Sequence, residues 1–311
     1  DDSLFALVYT LDDEDDFTDP DVWVKANPSL DVSIPKSYLA KELQQAQNYG
    51  GSMLVNFRTK HMNEWVSSSA TWIPDDIVML GDTDIEPDPQ QPCWGGLDLA
   101  SVGDITALNL VWPHEGGYIT RSWFWLPEDT VEKRIQSTGS HMYEQFKNLD
   151  NVFITEGNVT DYDAIRRFLT GFHIEGGVVG YDKDTLATRY NVESIAFDRY
   201  NSSQLVLNLA ADGLDLQPYG QGFVSMSTPT KEVERLMAEG KIHHDGDPVF
   251  RYMLGNVVLK TDPSGNIKPD KEKSGDKIDG VVAHIMAIGQ AMTDRAKAPS
   301  NIPDNYNIRT L

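Results

Sequence analysis

At 311 residues, with 40% hydrophobic and 10% aromatic side chains, the chain has the length for a substantial core and does not have the composition of a disordered polypeptide. A net charge of −22 argues against tight autonomous binding to nucleic acid, because such affinity comes largely from basic side chains that displace counterions. The single cysteine, Cys93, excludes an intrachain disulfide and a cysteine-rich zinc cluster, and it fits a reducing compartment.

No apolar run approaches a membrane-spanning length, so no membrane partner is expected, and Asp1-Asp-Ser-Leu4 does not read as a signal peptide. Without an initiator methionine, the chain is expected to be part of something longer. The charge is uneven. Residues 1–91 carry 18 acids and 5 bases, residues 92–311 carry 30 and 21, and 231–277 is balanced at nine of each. That leaves room for weak contact with DNA that another component holds in place.

In chain order, residues 3–11 read as a buried strand, and Asp12 to Asp16 as a solvated acidic loop. Pro35 opens a helix from Lys36 to about Asn48, which ends before Gly50-Gly51. A second helix over 52–65 aligns Met53, Leu54, Phe57, His61 and Trp65, with His61 read as a packed or capping side chain rather than a ligand. Residues 81–92, with three prolines among acids, read as a linker and place a domain boundary before Cys93.

Beyond the linker the pattern is mixed α/β. Strands over 94–100, 106–112 and 118–125 form a meander, followed by helices over 128–136 and 140–148 and a strand over 152–155. A helix over 161–169 is expected to be capped by Thr160, and the glycine-bearing segment 171–181 is an excursion. After Asp198 comes a helix over 202–211, then a strand over 214–219 and a helix from Thr230 to Glu239. His243-His244-Asp245-Gly-Asp247 reads as a turn rather than a metal site, and 260–277 is a Lys/Asp/Gly/Pro loop long enough to be functional. The last helix starts near Lys277 with an apolar stripe at Ile278, Val281, Val282, Ile285, Ile288 and Met292, and residues from 298 form an extended tail.

Three aspartates stand out. Asp98 lies inside an apolar strand, where a charge needs a partner; a cation and a nearby backbone amide both remain open. Asp198 ends a strand before a helix, the position at which open α/β sheets present ligand groups. Asp279 sits in the first turn of the last helix, where the helix dipole favours a carboxylate. Two carboxylates about 4 Å apart repel by roughly 4 kcal/mol at an effective dielectric of 20, so convergence would require a cation or a proton between them. Divalent ions such as Mg²⁺ make such a cluster favourable and suit phosphodiester hydrolysis. No P-loop, His-Glu-x-x-His, nucleophile-elbow or Cys-x-x-Cys motif supports a competing chemistry.

The ordered phrases Trp23-Val-Lys-Ala-Asn-Pro-Ser-Leu30, Asn56-Phe-Arg-Thr-Lys-His-Met-Asn-Glu-Trp65, Gly96-Leu-Asp-Leu-Ala-Ser101 with Asp104-Ile-Thr-Ala-Leu108, Phe197-Asp-Arg-Tyr-Asn201, Met253-Leu-Gly-Asn-Val-Val258 and Ile278-Asp-Gly-Val-Val-Ala283 resemble the C-terminal part of a tailed-bacteriophage terminase large subunit. The resemblance implies an α/β, RNase H-like mixed sheet, with an antiparallel three-strand meander plus parallel strands, flanked by helices and preceded by a helical connector. It implies residues 1–92 as the end of an ATPase domain plus connector, 93–297 as the nuclease domain, and 298–311 as a tail.

It further implies a metal-dependent endonuclease that cuts concatemeric viral DNA during packaging. Asp98, Asp198 and Asp279 would hold two Mg²⁺ or Mn²⁺ ions, with Asp104 in a second tier where turn capping is the alternative. Lys183, Arg199, Lys260, Lys268 and Lys273 are candidate phosphate contacts, each also readable as a solvated surface charge. Expected partners are double-stranded DNA, the N-terminal ATPase domain of the same polypeptide, the portal protein and the terminase small subunit, in the host bacterial cytoplasm. A resolvase or strand-transfer enzyme on the same fold, and a non-catalytic docking module for a portal or adaptor protein, remain as alternatives.

Overall fold

The computed structural model describes residues 7–12, 14–49, 57–64, 72–99, 105–138, 142–199, 204–274 and 277–297. Its centre is the run of strands that the sequence marks by alternating or continuous apolar residues. These are β1 (Pro92–Asp98), β2 (Thr106–His114), β3 (Gly117–Pro127) and β4 (Val152–Thr155), then, beyond a separate hairpin of β5 (Phe172–Glu175) and β6 (Val178–Tyr181), β7 (Asn191–Asp198), β8 (Leu216–Tyr219) and the short β9 (Ile242–His243). The sheet order is β4-β3-β2-β1-β7-β8, with β9 on β3. β1, β2 and β3 form the antiparallel meander, whereas β7 runs parallel to β1 and β8 parallel to β7. This is the RNase H-like mixed sheet expected from the sequence.

Both faces of the sheet are covered, which is why its strands are apolar almost throughout. Leu97, Leu108, Leu110, Trp125, Ile195 and Phe197 pack with α6 (Tyr162–Thr170), α7 (Leu186–Arg189) and α8 (Gln204–Ala211) through Ile165, Leu169, Leu186, Leu205 and Leu209. Ala107, Val111, Phe124, Leu126 and Ala196 point the other way. There they meet α9 (Phe223–Ala238), α10 (Pro248–Asn256) and α11 (Asp279–Lys297). The helices α4 (Glu128–Thr138) and α5 (Met142–Phe146) add Val131, Tyr143 and Phe146 to this second core. Toward the N-terminus, α1 (Trp23–Ala26) and α2 (Lys36–Tyr49) build a separate cluster around Trp23, Leu39, Phe57 and Met62. Trp72, Ile73 and Val78, the last in α3 (Asp75–Val78), join the core on the α9–α11 face.

Four expectations change in the structure. The strand read over 3–11 is absent from residues 7–11, where Leu7, Val8 and Tyr9 are exposed; residues 3–6 lie outside the described part. An apolar run specifies a strand only where a neighbouring ladder meets it. Thr160 does not cap α6. Asp161 does, accepting from the amides of Asp163 and Ala164, because its carboxylate reaches both first-turn donors.

The loop 260–277 contains a hairpin, β10 (Leu259–Thr261) and β11 (Ile267–Pro269), turned by Asp262, which accepts from the amides of Ser264 and Asn266. Finally, α9 begins at Phe223 rather than at Thr230, running through Pro229. A proline lacks the N–H that would bond the carbonyl of Ser225, four residues back. The Tyr219 hydroxyl supplies that donor instead, at 3.0 Å.

Candidate metal centre

The site is assembled where β1, β7 and α11 meet. The last paired residues of β1 and β7 are Leu97 and Phe197, so Asp98 and Asp198 follow side by side at the carboxyl ends of adjacent parallel strands. Such strands run about 4.8 Å apart. Leu97 and Phe197 point into the α6–α8 face, so by alternation Asp98 and Asp198 point toward α11.

Gly96 brings the helix in. A Cβ there would lie 1.9 Å from the carbonyl oxygen of Ala283, so only glycine lets the α11 backbone rest on β1. From that contact, Asp98 is two residues along the strand, about 6.6 Å, and Asp279 is four residues back along the helix, about 6 Å. Because α11 runs antiparallel to β1, both displacements point the same way, and Asp279 comes to Asp98.

The helix is fixed one turn further on by His284. Its Nδ1 lies 3.1 Å from Asn109 Oδ1 and 3.2 Å from Thr120 Oγ1. Asn109 Nδ2 in turn donates to Ser122 Oγ, which completes a buried polar link between α11, β2 and β3. Burial pushes the His284 pKa down to about 3, with the nearby His244 adding to the effect, so the ring is neutral and Nδ1–H donates to the amide oxygen.

The three aspartates are buried. Asp98 Oδ2 and Asp279 Oδ1 are joined by one ammonium group, that of Lys271, at 2.6 and 3.0 Å. Gln221 Nε2 donates to Asp98 Oδ1 at 3.0 Å. Burial works against the Lys271 charge, but the two carboxylates outweigh it and hold its pKa above the ordinary lysine value. The Lys271 side chain is 41% exposed, whereas the Asp98 and Asp279 side chains are 1% and 8% exposed. The cation therefore reaches a buried acidic pair from the surface.

Among the described residues, no three His, Cys, Asp or Glu side chains are grouped so as to hold a metal ion. Between Asp98 and Asp279 the positive charge is supplied by the Lys271 ammonium. The donors are carboxylate oxygens, the chemistry that Mg²⁺ and Mn²⁺ select, so the residues fit such an ion. Asp104 lies outside the described residues.

The basic candidates divide by position. Lys260 and Lys268 line a cavity of about 230 Å³ together with Gln221 and Lys271, and Lys268 Nζ donates to the Gln221 carbonyl at 3.0 Å. Lys273 is exposed two residues beyond Lys271, and Arg199 is exposed directly after Asp198. Lys183 precedes α7, whose following Tyr190 packs on Trp112 at the other end of the sheet from Asp98.

Neither Lys271 nor Gln221 was singled out from the sequence, although the 260–277 loop had been. The His243–Asp247 motif is structural. His244 Nε2 bonds the Val78 carbonyl, His243 packs edge-on against His114, and Asp247 caps α10. His61 packs between Phe57 and Tyr38, and Lys25 bridges Asp12 and Asp15.

Comparison with known proteins agrees with this architecture. The family model for the terminase large subunit, endonuclease domain, matches residues 1–295. Protein YmfN of Escherichia coli strain K12 is 31% identical over 328 residues, covering 100% of this chain and 68% of YmfN. The terminase large subunit of Enterobacteria phage HK97 is 28% identical over 292 residues, covering 93% of this chain and 54% of the relative. The crystal structure of the HK97 large terminase superposes with a TM-score of 0.60 at 27% identity, over 91% of this chain and 56% of that one. The chain thus spans about half the length of the HK97 protein. It belongs to the terminase large subunit endonuclease domain family.

Proposed function

We propose that this chain is the nuclease part of a DNA-packaging terminase and hydrolyses phosphodiesters of duplex DNA with two divalent ions, Mg²⁺ or Mn²⁺, held by Asp98, Asp198 and Asp279. The observation that carries the reading is the single ammonium shared by Asp98 and Asp279, with Asp198 beside Asp98 in the parallel register. A fold that collects carboxylates in this way requires positive charge among them. When bound, a pair of divalent ions supplies Lewis acidity to a water and to both oxygens of an in-line displacement.

The chain's own residues do the positioning. Gly96 and His284 set α11 against the sheet, and Gln221 holds one oxygen of Asp98 so that the other faces the cation. Lys260, Lys268, Arg199 and Lys273 provide positive charge near the pocket for a DNA backbone, whereas Lys183 lies between Asp182 and Asp184, which line a cavity with Trp123 and Trp125 on the α6–α8 side. Asp104 is a second-tier candidate ligand, with turn capping as its alternative role.

Residues 1–92 would act as the end of an ATPase domain and a connector, 93–297 as the nuclease domain and 298–311 as a tail. The ATPase domain of the same polypeptide, the portal protein and the terminase small subunit would hold the DNA that so acidic a chain binds weakly, in the host bacterial cytoplasm. No helix among the described residues is long and apolar enough to cross a membrane.

Supercoiled plasmid provides the test. With Mg²⁺ or Mn²⁺ the chain should nick and linearise it, EDTA should stop the reaction, and Asp98→Asn should slow it by roughly a hundredfold or more, the scale of losing one preorganised charge-stabilising group. Equal cutting by Asp98→Asn would refute the assignment.

A further inference from the structure

We infer that Lys271 is a built-in stand-in cation, whose ammonium closes the pocket between Asp98 and Asp279 until a divalent ion displaces it. The inference rests on the reading of these carboxylates as metal ligands. It goes beyond that reading by assigning a role to a residue that no ligand set requires.

Three features of the structure support it. First, the contact is with buried acids. Lys25 also spans two carboxylates, but Asp12 and Asp15 lie in a surface loop, whereas Lys271 reaches Asp98 and Asp279 at the junction of β1 and α11. Second, the lysine is carried by the turn after β11 and not by a core element, so its side chain can leave while β1, β7 and α11 stay in place. Third, there is somewhere for it to go. The cavity of about 230 Å³ beside it is lined by Gln221, Lys260 and Lys268 as well as by Lys271 itself.

The energetic logic is competition. Without a cation, Asp98 and Asp279 would repel across a buried pocket, and the strand end and the helix start would tend to separate. The ammonium keeps them assembled, so the ligands are already positioned when an ion arrives. The same contact must be broken before the ion can bind, which raises the ion concentration needed to fill the site.

Calorimetric titration of the 311-residue chain with Mn²⁺, comparing the unmodified protein with Lys271→Met, Lys271→Arg and Asp98→Asn, tests the inference. Lys271→Met should bind Mn²⁺ several-fold more tightly and Lys271→Arg no more tightly, because the guanidinium retains the competing charge. In EDTA, Lys271→Met should melt at a lower temperature than the unmodified chain, and saturating Mn²⁺ should close the gap. Equal or weaker binding by Lys271→Met, with Mn²⁺ binding lost in Asp98→Asn, would overturn the stand-in role alone. Binding indifferent to Asp98→Asn would overturn the metal reading and this inference together.

A second measurement needs no variant. Acetic anhydride labelling of the unmodified chain, read by mass spectrometry, should find Lys271 protected in EDTA and acylated several-fold faster with Mg²⁺. Unchanged reactivity of Lys271 on adding saturating Mg²⁺ would also overturn the proposal.

Discussion

Two ends of one helix–strand contact handle a carboxylate in opposite ways. At one end, Asp294 of α11 accepts from Trp94 Nε1, Ser194 Oγ and Gln290 Nε2 at 3.2, 3.0 and 3.0 Å. At the other end, four residues along β1 from Trp94, Asp98 and Asp279 share the ammonium of Lys271. The first arrangement surrounds a charge with neutral donors drawn from the same two strands and the helix, and it ties those elements together. The second gathers two acids that neutral donors have not separated, and it borrows a cation from a surface turn. On the proposed reading, Asp294 serves the structure, whereas the cation shared by Asp98 and Asp279 gives way to a ligand.

The contrast can be broken at its hinge. Gly96→Ala should have the largest effect of all, because its Cβ would meet the Ala283 carbonyl at 1.9 Å and push α11 off β1. A loss of about 2 kcal/mol or more is expected in urea unfolding, with Mn²⁺ affinity and plasmid cutting falling together.

A smaller effect sharpens the contrast at Asp247, a buried carboxylate supported only by neutral groups: the amides of Val249 and Phe250 and Asn151 Nδ2. Burial, reinforced by Asp245, pushes its pKa up from 3.8 to about 6, so here the fold prefers the protonated acid. Stability from this group is therefore gained as pH falls through about 6 and is complete once the unfolded chain is protonated too, below 3.8; above 6 the cost is fully present. Asp247→Asn keeps the capping oxygen but turns its Nδ2 toward the Asn151 Nδ2 donor, so any gain over the unmodified chain at pH 7 should stay within about 1 kcal/mol and shrink by pH 5 in parallel denaturant titrations.

What could be read from the sequence followed the range of the interaction involved. Asp98 stood out because it lies inside an apolar strand, Asp198 because it ends one before a helix, and Asp279 because it opens an apolar helix; these are local patterns of period and burial. The meeting of Asp98 and Asp279 at Lys271 is not local, and the expectation that all three converge came from the ordered resemblance to terminases rather than from spacing. Lys271 could not be identified. It contacts Asp98 across 173 positions from a loop whose lysines all look alike in sequence.

Gly96 lay in the quoted stretch, yet its reason for being glycine is a helix backbone almost two hundred residues away. The first turns of α9, with Pro229 inside them, do not read as helix in the sequence, and the hydroxyl of Tyr219 that compensates for Pro229 lies on a neighbouring strand. Thr160 reads in the sequence as the cap of a helix starting at Asp161, and the backbone geometry gives the cap to Asp161 itself.

The central claim is that these carboxylates form one cation pocket. Anomalous difference density from a crystal of the chain soaked in Mn²⁺ tests it most directly. The account predicts peaks bounded by Asp98, Asp198 and Asp279, with the Lys271 side chain withdrawn from between them. Ordered Mn²⁺ elsewhere, as at His243 or the Asp12–Asp16 loop, with Lys271 still seated on Asp98 and Asp279, would contradict it.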